Sequence, residues 1–158
     1  MNRTEKWTKA LADARSALLE TLNSLTPAQW EQVVYGEGDG WTVHTLVSHL
    51  IDGERGMSIQ IHKIRKGEET LPAGFNLYEW NAGVKQRIGN PTPAELLAGL
   101  EATRARTLQG LNGLTESDWE RSGRHPSLGV ITVEQYYETI AGHELMHLAH
   151  IKNALQIV

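Results

Sequence analysis

The sequence predicts an all-α fold, a four-helix bundle formed by a single domain that spans residues 1–158. Apolar residues recur at helical spacing in four long segments, and capping residues mark where these segments begin. Strand patterns are almost absent, because no segment alternates strictly between apolar and polar residues over the length of a strand. A chain of 158 residues suits one domain with one hydrophobic core.

The first half of the chain contains two of the long helices. The first helix is predicted over about residues 4–23, and the box Thr26-Pro27-Ala28-Gln29 predicts a short helical turn after it. A glycine-rich loop follows at residues 36–40. Thr42 caps the second helix, which is predicted to continue to about residue 66. The apolar faces of the two helices are formed by Leu11, Ala14, Leu18, Leu22 and Leu25, and by Val43, Leu46, Val47, Leu50 and Ile51.

The second half contains the other two long helices, after a long connection. Residues 67–92 form this crossover between the second and third long helices, with one helix predicted over about residues 76–88. The capping box Thr92-Pro93-Ala94-Glu95 begins the third long helix, which runs to about residue 111. A second short box at 115–118 precedes another loop, and Thr132 caps the last helix, which continues almost to the end. Four long helices with one long crossover describe a four-helix bundle.

Composition limits the classes of function. A net charge of −4 with scattered basic residues argues against binding to nucleic acid. The absence of cysteine excludes disulfides, a thiolate metal site and a cysteine nucleophile. No apolar run is long enough to span a bilayer, and the charged N-terminal residues do not form a signal peptide. We therefore expect a soluble cytoplasmic protein without nucleic acid or membrane partners. Its expected partner is a small-molecule substrate, and a homodimer is the candidate assembly.

The last helix carries the most informative residues. His147 lies in the middle of the apolar face that Tyr136, Ile140 and Ile151 define, and His143 lies at the border of that face. An imidazole on a core face is costly unless it is hydrogen-bonded or bound to a metal ion. Two histidines four residues apart on a helix can reach one ion. This pair predicts a site for a divalent metal ion.

A third ligand must come from another helix, because only eight residues follow His150. His49 is the best donor, since it lies in the middle of the second long helix on the flank of its apolar face. Gly53 and Gly56 share that flank and leave room for a neighbouring helix or a ligand. The metal prediction is therefore His49, His143 and His147.

The other polar residues near the pair receive lesser roles. His150 lies too far along the helix to share an ion with both other histidines, about 10.5 Å from His143, so we expect it beside the site. Glu144 also points inward, and we expect it to pair with an arginine or lysine of another helix or to orient an imidazole. Glu144 and His150 are the candidate catalytic residues. His44 and His62 are predicted to face solvent, whereas His125 could approach the open end of the site.

His143-Glu144-Leu145-Met146-His147 matches the H-E-x-x-H pattern of zinc peptidases, in which the glutamate acts as general base. Those enzymes take their third ligand downstream, and this chain has no room for one. The sequence also predicts no strand that could bind an extended peptide. A peptidase is therefore the weaker alternative.

The whole chain resembles the DinB-like (DinB/YfiT) superfamily. The matching segments are Gly40-Trp41-Thr42-Val43, Val47-Ser48-His49-Leu50, residues 92–97, residues 114–119, and above all residues 125–132 and 141–151. The resemblance implies a four-helix bundle in which His49, His143 and His147 form the metal triad, with His150 at a position where relatives commonly carry glutamine.

What the resemblance implies about activity is broader. Some relatives are thiol-dependent transferases or isomerases that use mycothiol, bacillithiol or glutathione, and others are described as metal-dependent hydrolases. We therefore expect a divalent ion (Zn, Ni, Mn or Fe) and a low-molecular-weight thiol as cosubstrate, in a thiol-dependent transferase or isomerase. A metal-dependent hydrolase and a non-catalytic binder of metal or small molecules are the alternatives.

Overall fold

The computed structural model describes residues 1–35 and 40–158, and helices dominate it. Most of the predicted glycine-rich loop at 36–40 lies outside the described residues. In chain order the elements are α1 (Arg3–Leu22), α2 (Pro27–Trp30), β1 (Val33–Tyr35), β2 (Trp41–Thr42), α3 (Val43–Arg65), α4 (Leu77–Ala82), α5 (Val84–Ile88), α6 (Pro93–Asn112), a 3₁₀ turn (Glu116–Asp118), β3 (Ser122–His125), β4 (Gly129–Thr132) and α7 (Val133–Leu155).

The long helices begin where their capping residues predict. The Thr42, Thr92 and Thr132 side chains accept hydrogen bonds from backbone N–H groups of the first turns of α3, α6 and α7. These bonds satisfy N–H groups that have no partner within the helix. None of the helices in the described ranges has the length and apolar character needed to cross a membrane.

Two small antiparallel hairpins are present that the sequence patterns did not predict. β1 pairs with β2 just before α3, and β3 pairs with β4 just before α7. Strands of two to four residues are too short to show alternation, which is why the sequence contains almost no signal for them. Gly129, which begins β4 directly after the turn, has a φ of 76°, a conformation that favours glycine.

The crossover contains two short helices where one was predicted. The Arg87 Nη2 atom donates to the Trp80 carbonyl oxygen at 2.6 Å and so binds a carbonyl near the C-terminal end of α4. A Cβ atom at Gly83 would lie 2.8 Å from Arg87 Nη1, so the glycine leaves the space that this arginine occupies. The predicted helix over 76–88 is therefore interrupted at Gly83.

The four long helices form a closed ring. α1 packs against α7, α7 against α3, α3 against α6, and α6 against α1. Two apolar clusters fill the interior: one includes Leu18, Leu46, Leu100 and Ile151, and the other includes Leu11, Ile61, Leu111 and Tyr136. The four-helix bundle is the fold that the sequence predicted.

A layer of charges lies between the two apolar clusters, and each long helix contributes one residue to it. Arg15 of α1 and Arg104 of α6 each donate hydrogen bonds to both Glu54 of α3 and Glu144 of α7, at N···O distances of 2.8–3.4 Å. All four residues are buried. We call these four residues the charge layer. The prediction that Glu144 pairs with an arginine of another helix is confirmed.

We expect Glu144→Gln to reduce the free energy of unfolding by about 3 kcal/mol, because it leaves two buried arginines short of one negative charge. Metal affinity should fall much less. Urea unfolding and metal titration of the same variant measure the two effects. Glu138→Gln, an exposed change on the same helix, is the control. A variant of normal stability that no longer bound metal would contradict the structural role.

Candidate metal centre

Three imidazoles from two helices meet inside the bundle. The Nε2 atom of His143 lies 3.1 Å from Nε2 of His49 and 2.9 Å from Nε2 of His147. The rings are close to perpendicular to one another, with centroids 4.4–5.2 Å apart. His49 and His147 are buried and His143 is half-buried. The structure thus brings together all three residues that the sequence predicted as ligands.

The helices position these side chains by simple geometry. His143 and His147 lie one turn apart on α7, so both point toward α3. The Trp41 ring, in β2 just before α3, packs against His49 with centroids 5.0 Å apart. The His143 ring lies close to the α3 backbone at Gly53, where a Cβ atom would be in ordinary van der Waals contact with its Cε1 atom at 3.6 Å.

The chemistry of these donors fits one divalent ion. Two nitrogens bound to the same zinc ion at about 2.0–2.1 Å can stand no more than about 4 Å apart, and both measured separations satisfy this limit. The ligand atoms of the third pair, His49 and His147, are no more than 4.8 Å apart, which is close to the same limit. Imidazole nitrogens suit zinc, nickel and iron. His49, His143 and His147 could therefore hold such an ion together.

His150 lies beside the three histidines, as predicted. Its Nδ1 atom is 3.3 Å from Nδ1 of His147, on the opposite side of that ring from the Nε2 cluster. A hydrogen bond to the distal nitrogen of a ligand imidazole fixes its tautomer and its orientation. His150 is thus placed to orient His147, and it does not line the cavity described below.

The remaining histidines lie away from the cluster. His62 is exposed, as predicted. His44 is half-buried, with its Nε2 atom 2.6 Å from the Pro91 carbonyl oxygen, so its predicted solvent-facing position is wrong. The crossover covers this side of α3, which the spacing of residues within α3 could not indicate. His125 ends β3 and lines the cavity beside the metal centre. Burial lowers the pKa of the His125 imidazole, which favours its neutral form.

A cavity of about 670 Å³ opens onto the candidate metal centre. His49 and His143 form part of its wall, and most other lining residues are apolar: Gly56, Met57, Ile59, Leu71, Pro72, Phe75, Leu77, Trp80, Leu128 and Met146. No Cβ atom at Gly56 would meet another atom within 4 Å, so this glycine faces open space, as predicted. The volume suits a small organic molecule.

Asp52 anchors the crossover wall of this cavity, a role that sequence reasoning missed. Its carboxylate accepts hydrogen bonds from Arg87 at 2.7 and 3.2 Å and from the Trp80 indole at 3.1 Å. The Arg87 guanidinium stacks on the Trp80 ring, 3.8 Å from its centre. The only signal for this role in the sequence was an aspartate on the flank of α3 that carries His49. The spacing of residues could not identify its partners Arg87 and Trp80.

The fold and the site define a class of protein: a four-helix bundle with an internal histidine cluster that could hold one divalent ion. A family model for the DinB superfamily matches residues 10–151. The chain therefore belongs to the DinB superfamily, as its motifs indicated.

Two curated relatives have names that refer to a metal-dependent activity. The chain is 29% identical over 150 residues to "Putative metal-dependent hydrolase OB0413" of Oceanobacillus iheyensis, covering 95% of this chain and 84% of that protein. It is also 29% identical to "Putative metal-dependent hydrolase YfiT" of Bacillus subtilis, covering 93% and 81% of the two chains.

Solved structures have the same fold. The structure of YfiT from Bacillus subtilis, described as a four-helix bundle of unusual topology, has a TM-score of 0.77 at 25% identity and covers 97% of this chain and 86% of its own. A mycothiol-dependent maleylpyruvate isomerase has the same TM-score at 15% identity, with 94% of this chain and 60% of its own length covered. At 15% identity the second likeness shows the fold alone.

Replacing any one of His49, His143 and His147 with alanine should reduce the bound metal, with His147→Ala the most damaging because it is fully buried. His44→Ala and His62→Ala should retain one ion per chain, since neither reaches the cluster. Elemental analysis measures the metal content, and circular dichroism confirms folding. Folded His147→Ala protein with a full equivalent of metal would exclude the triad.

Metal affinity should weaken steeply below about pH 6, because imidazole binds a metal ion only when neutral and its ordinary pKa is about 6.5. Protons compete with the ion for the same nitrogens, so release should take up more than one proton per ion. Metal titrations across a pH series with a chromophoric chelator would measure this. An affinity independent of pH between 5 and 7 would contradict histidine ligation.

Proposed function

We propose that the protein is a metal-dependent enzyme that acts on small, mostly apolar molecules and transfers or isomerises them with a thiol cosubstrate. The observation that carries the proposal is the apolar cavity whose wall includes two of the three clustered histidines. A divalent ion held by His49, His143 and His147 would leave at least one position open, where it could acidify a bound thiol or water.

The carboxylates near the cavity favour a thiol over water as the nucleophile. Both oxygens of Glu144 accept hydrogen bonds from arginines of the charge layer, and Glu144 does not line the cavity. Asp52 lines the cavity, but both its oxygens are bonded to Arg87 or Trp80. With its carboxylates held in this way, the site suits a nucleophile that ionises without a side-chain base. A thiol does so more readily than water, since its ordinary pKa is about 8.5.

The chain's own residues supply binding and orientation. The apolar walls exclude water from a bound molecule, and the crossover, fixed by Asp52, closes one side. His150 holds His147, and the charge layer holds Glu144 between the two α7 histidines. Because the chain contains no cysteine, the thiol must arrive as a cosubstrate.

A metal-dependent hydrolase is the second candidate, and the names of the 29% identical relatives favour it. Hydrolysis at this site would use bound water without a free carboxylate base. A peptidase is disfavoured, because the glutamate of the H-E-x-x-H pattern is taken up by the charge layer.

The test is a turnover screen of the metal-loaded protein. Apolar electrophiles should react only when glutathione, bacillithiol or mycothiol is added, and activity should disappear with the metal. Gly56→Leu should lower turnover by at least about tenfold by filling the cavity, while retaining the metal. His62→Ala serves as the control.

Turnover of aryl esters without any thiol, at a rate equal to that with thiol, would favour the hydrolase. A Gly56→Leu variant with full activity would show that the reaction does not occur in this cavity. No turnover of either substrate class would favour a non-catalytic binder.

A further inference from the structure

His125 is held in one tautomer by the turn that follows it. Its Nδ1 atom accepts hydrogen bonds from the backbone N–H groups of Ser127 and Leu128, at 3.1 and 3.2 Å. The Ser127 hydroxyl oxygen lies 3.3 Å from the same atom. A neutral imidazole that accepts at Nδ1 carries its proton on Nε2. The Nε2–H group of His125 is therefore a fixed donor, on the edge of the ring that faces away from the turn.

The ring that carries this donor lines the cavity and lies at a distance from the metal centre. The His125 ring lines the cavity and packs against Tyr136 of α7, with ring centroids 5.5 Å apart. Tyr136 precedes His143 by seven residues, or two helical turns, about 10.5 Å along the axis. Within the described part of the chain, no hydrogen bond to His125 Nε2 is formed, which leaves the donor available to a ligand.

The charges of the cavity wall restrict what this donor can bind. Among the described residues, no lysine or arginine lines the cavity, and the carboxylate of Asp52 is paired with Arg87. A carboxylate or phosphate at the His125 end would be desolvated without a cation to pair with it. A carbonyl-type oxygen needs one donor only, and the apolar wall can cover the rest of the molecule.

We propose that His125 is a specificity-determining residue, whose Nε2–H binds the uncharged carbonyl-type oxygen of an elongated, mostly apolar ligand. The reactive end of that ligand lies at the histidine cluster, two helical turns away. The inference rests on the proposed function, because it takes the cluster as the reactive end. It narrows the substrate class to uncharged molecules with a hydrogen-bond acceptor at the end remote from the reacting group.

The test compares two thiol probes on the cobalt-loaded protein. One probe is a mercapto-octanone that has the thiol and the methyl ketone at opposite ends. The other is the corresponding branched alkanethiol, in which a carbon that carries a methyl group replaces the carbonyl group. The thiolate-to-cobalt charge-transfer absorption reports binding of each. The ketone should bind roughly fivefold more tightly, the contribution of one net hydrogen bond.

His125→Asn removes the N–H donor at the Nε2 position, because the asparagine side chain is shorter. It keeps the turn, because its side-chain oxygen can accept hydrogen bonds from the same two backbone N–H groups. The ketone preference should be lost in this variant and retained in His62→Asn. His125→Gln, which can place an amide N–H near the Nε2 position, should restore part of it. Long-range ¹H–¹⁵N NMR spectra of the ¹⁵N-labelled wild-type protein with an unlabelled ligand should show that His125 is protonated on Nε2 alone.

Each other outcome overturns a distinct statement. Equal binding of the two thiols by wild type would overturn the role of His125 and leave the thiol site intact. An NMR spectrum that showed the proton on Nδ1 of His125 would overturn that role independently of the thiol-binding measurements. If neither thiol produced the charge-transfer absorption, the proposed function would fail, and the inference with it.

Discussion

The charge layer is the interaction on which the rest of the structure depends. Each of the four long helices contributes one buried charge, and a buried charge that loses its partner costs several kcal/mol. The helices must therefore present Arg15, Glu54, Arg104 and Glu144 at one level of the bundle. Glu144 lies between His143 and His147 on α7, and Glu54 lies little more than one turn from His49 on α3. The register that satisfies the charges also brings the imidazoles together.

The same constraint shapes the cavity. With α3 and α7 fixed against each other inside the bundle, the flanks that face the crossover carry glycines and histidines that do not fill the space between helix and crossover. The crossover cannot collapse into this space, because Asp52 holds Trp80 and Arg87 at a set position. Stability and site geometry thus come from different residues of the same two helices, which allows the cavity wall to vary without loss of the fold.

The sequence predicted the parts of this arrangement that depend on one helix at a time. Apolar spacing and caps predicted the four long helices, and the positions of His49, His147 and Glu144 on their helices predicted a metal site and a partner for Glu144 within the bundle. The sequence could not identify the partners of Glu144. Arg15 and Arg104 lie at helical spacing from leucines, and many arginines in such positions extend their charged groups to the surface. The hairpins were missed because their strands are too short for periodicity, and the covered position of His44 depends on the path of the crossover.

Charge balance connects the fold to the proposed chemistry. Two arginines and two glutamates make the charge layer neutral in itself, and Arg87 neutralises Asp52. A divalent ion on three neutral imidazoles would therefore keep most of its charge within an apolar surrounding, where electrostatic attraction is strong. Such a centre favours an anionic nucleophile at its open position. The apolar walls, in contrast, favour an uncharged partner for that nucleophile. The two preferences together agree with the proposed function, in which a thiolate would meet a neutral, mostly apolar molecule.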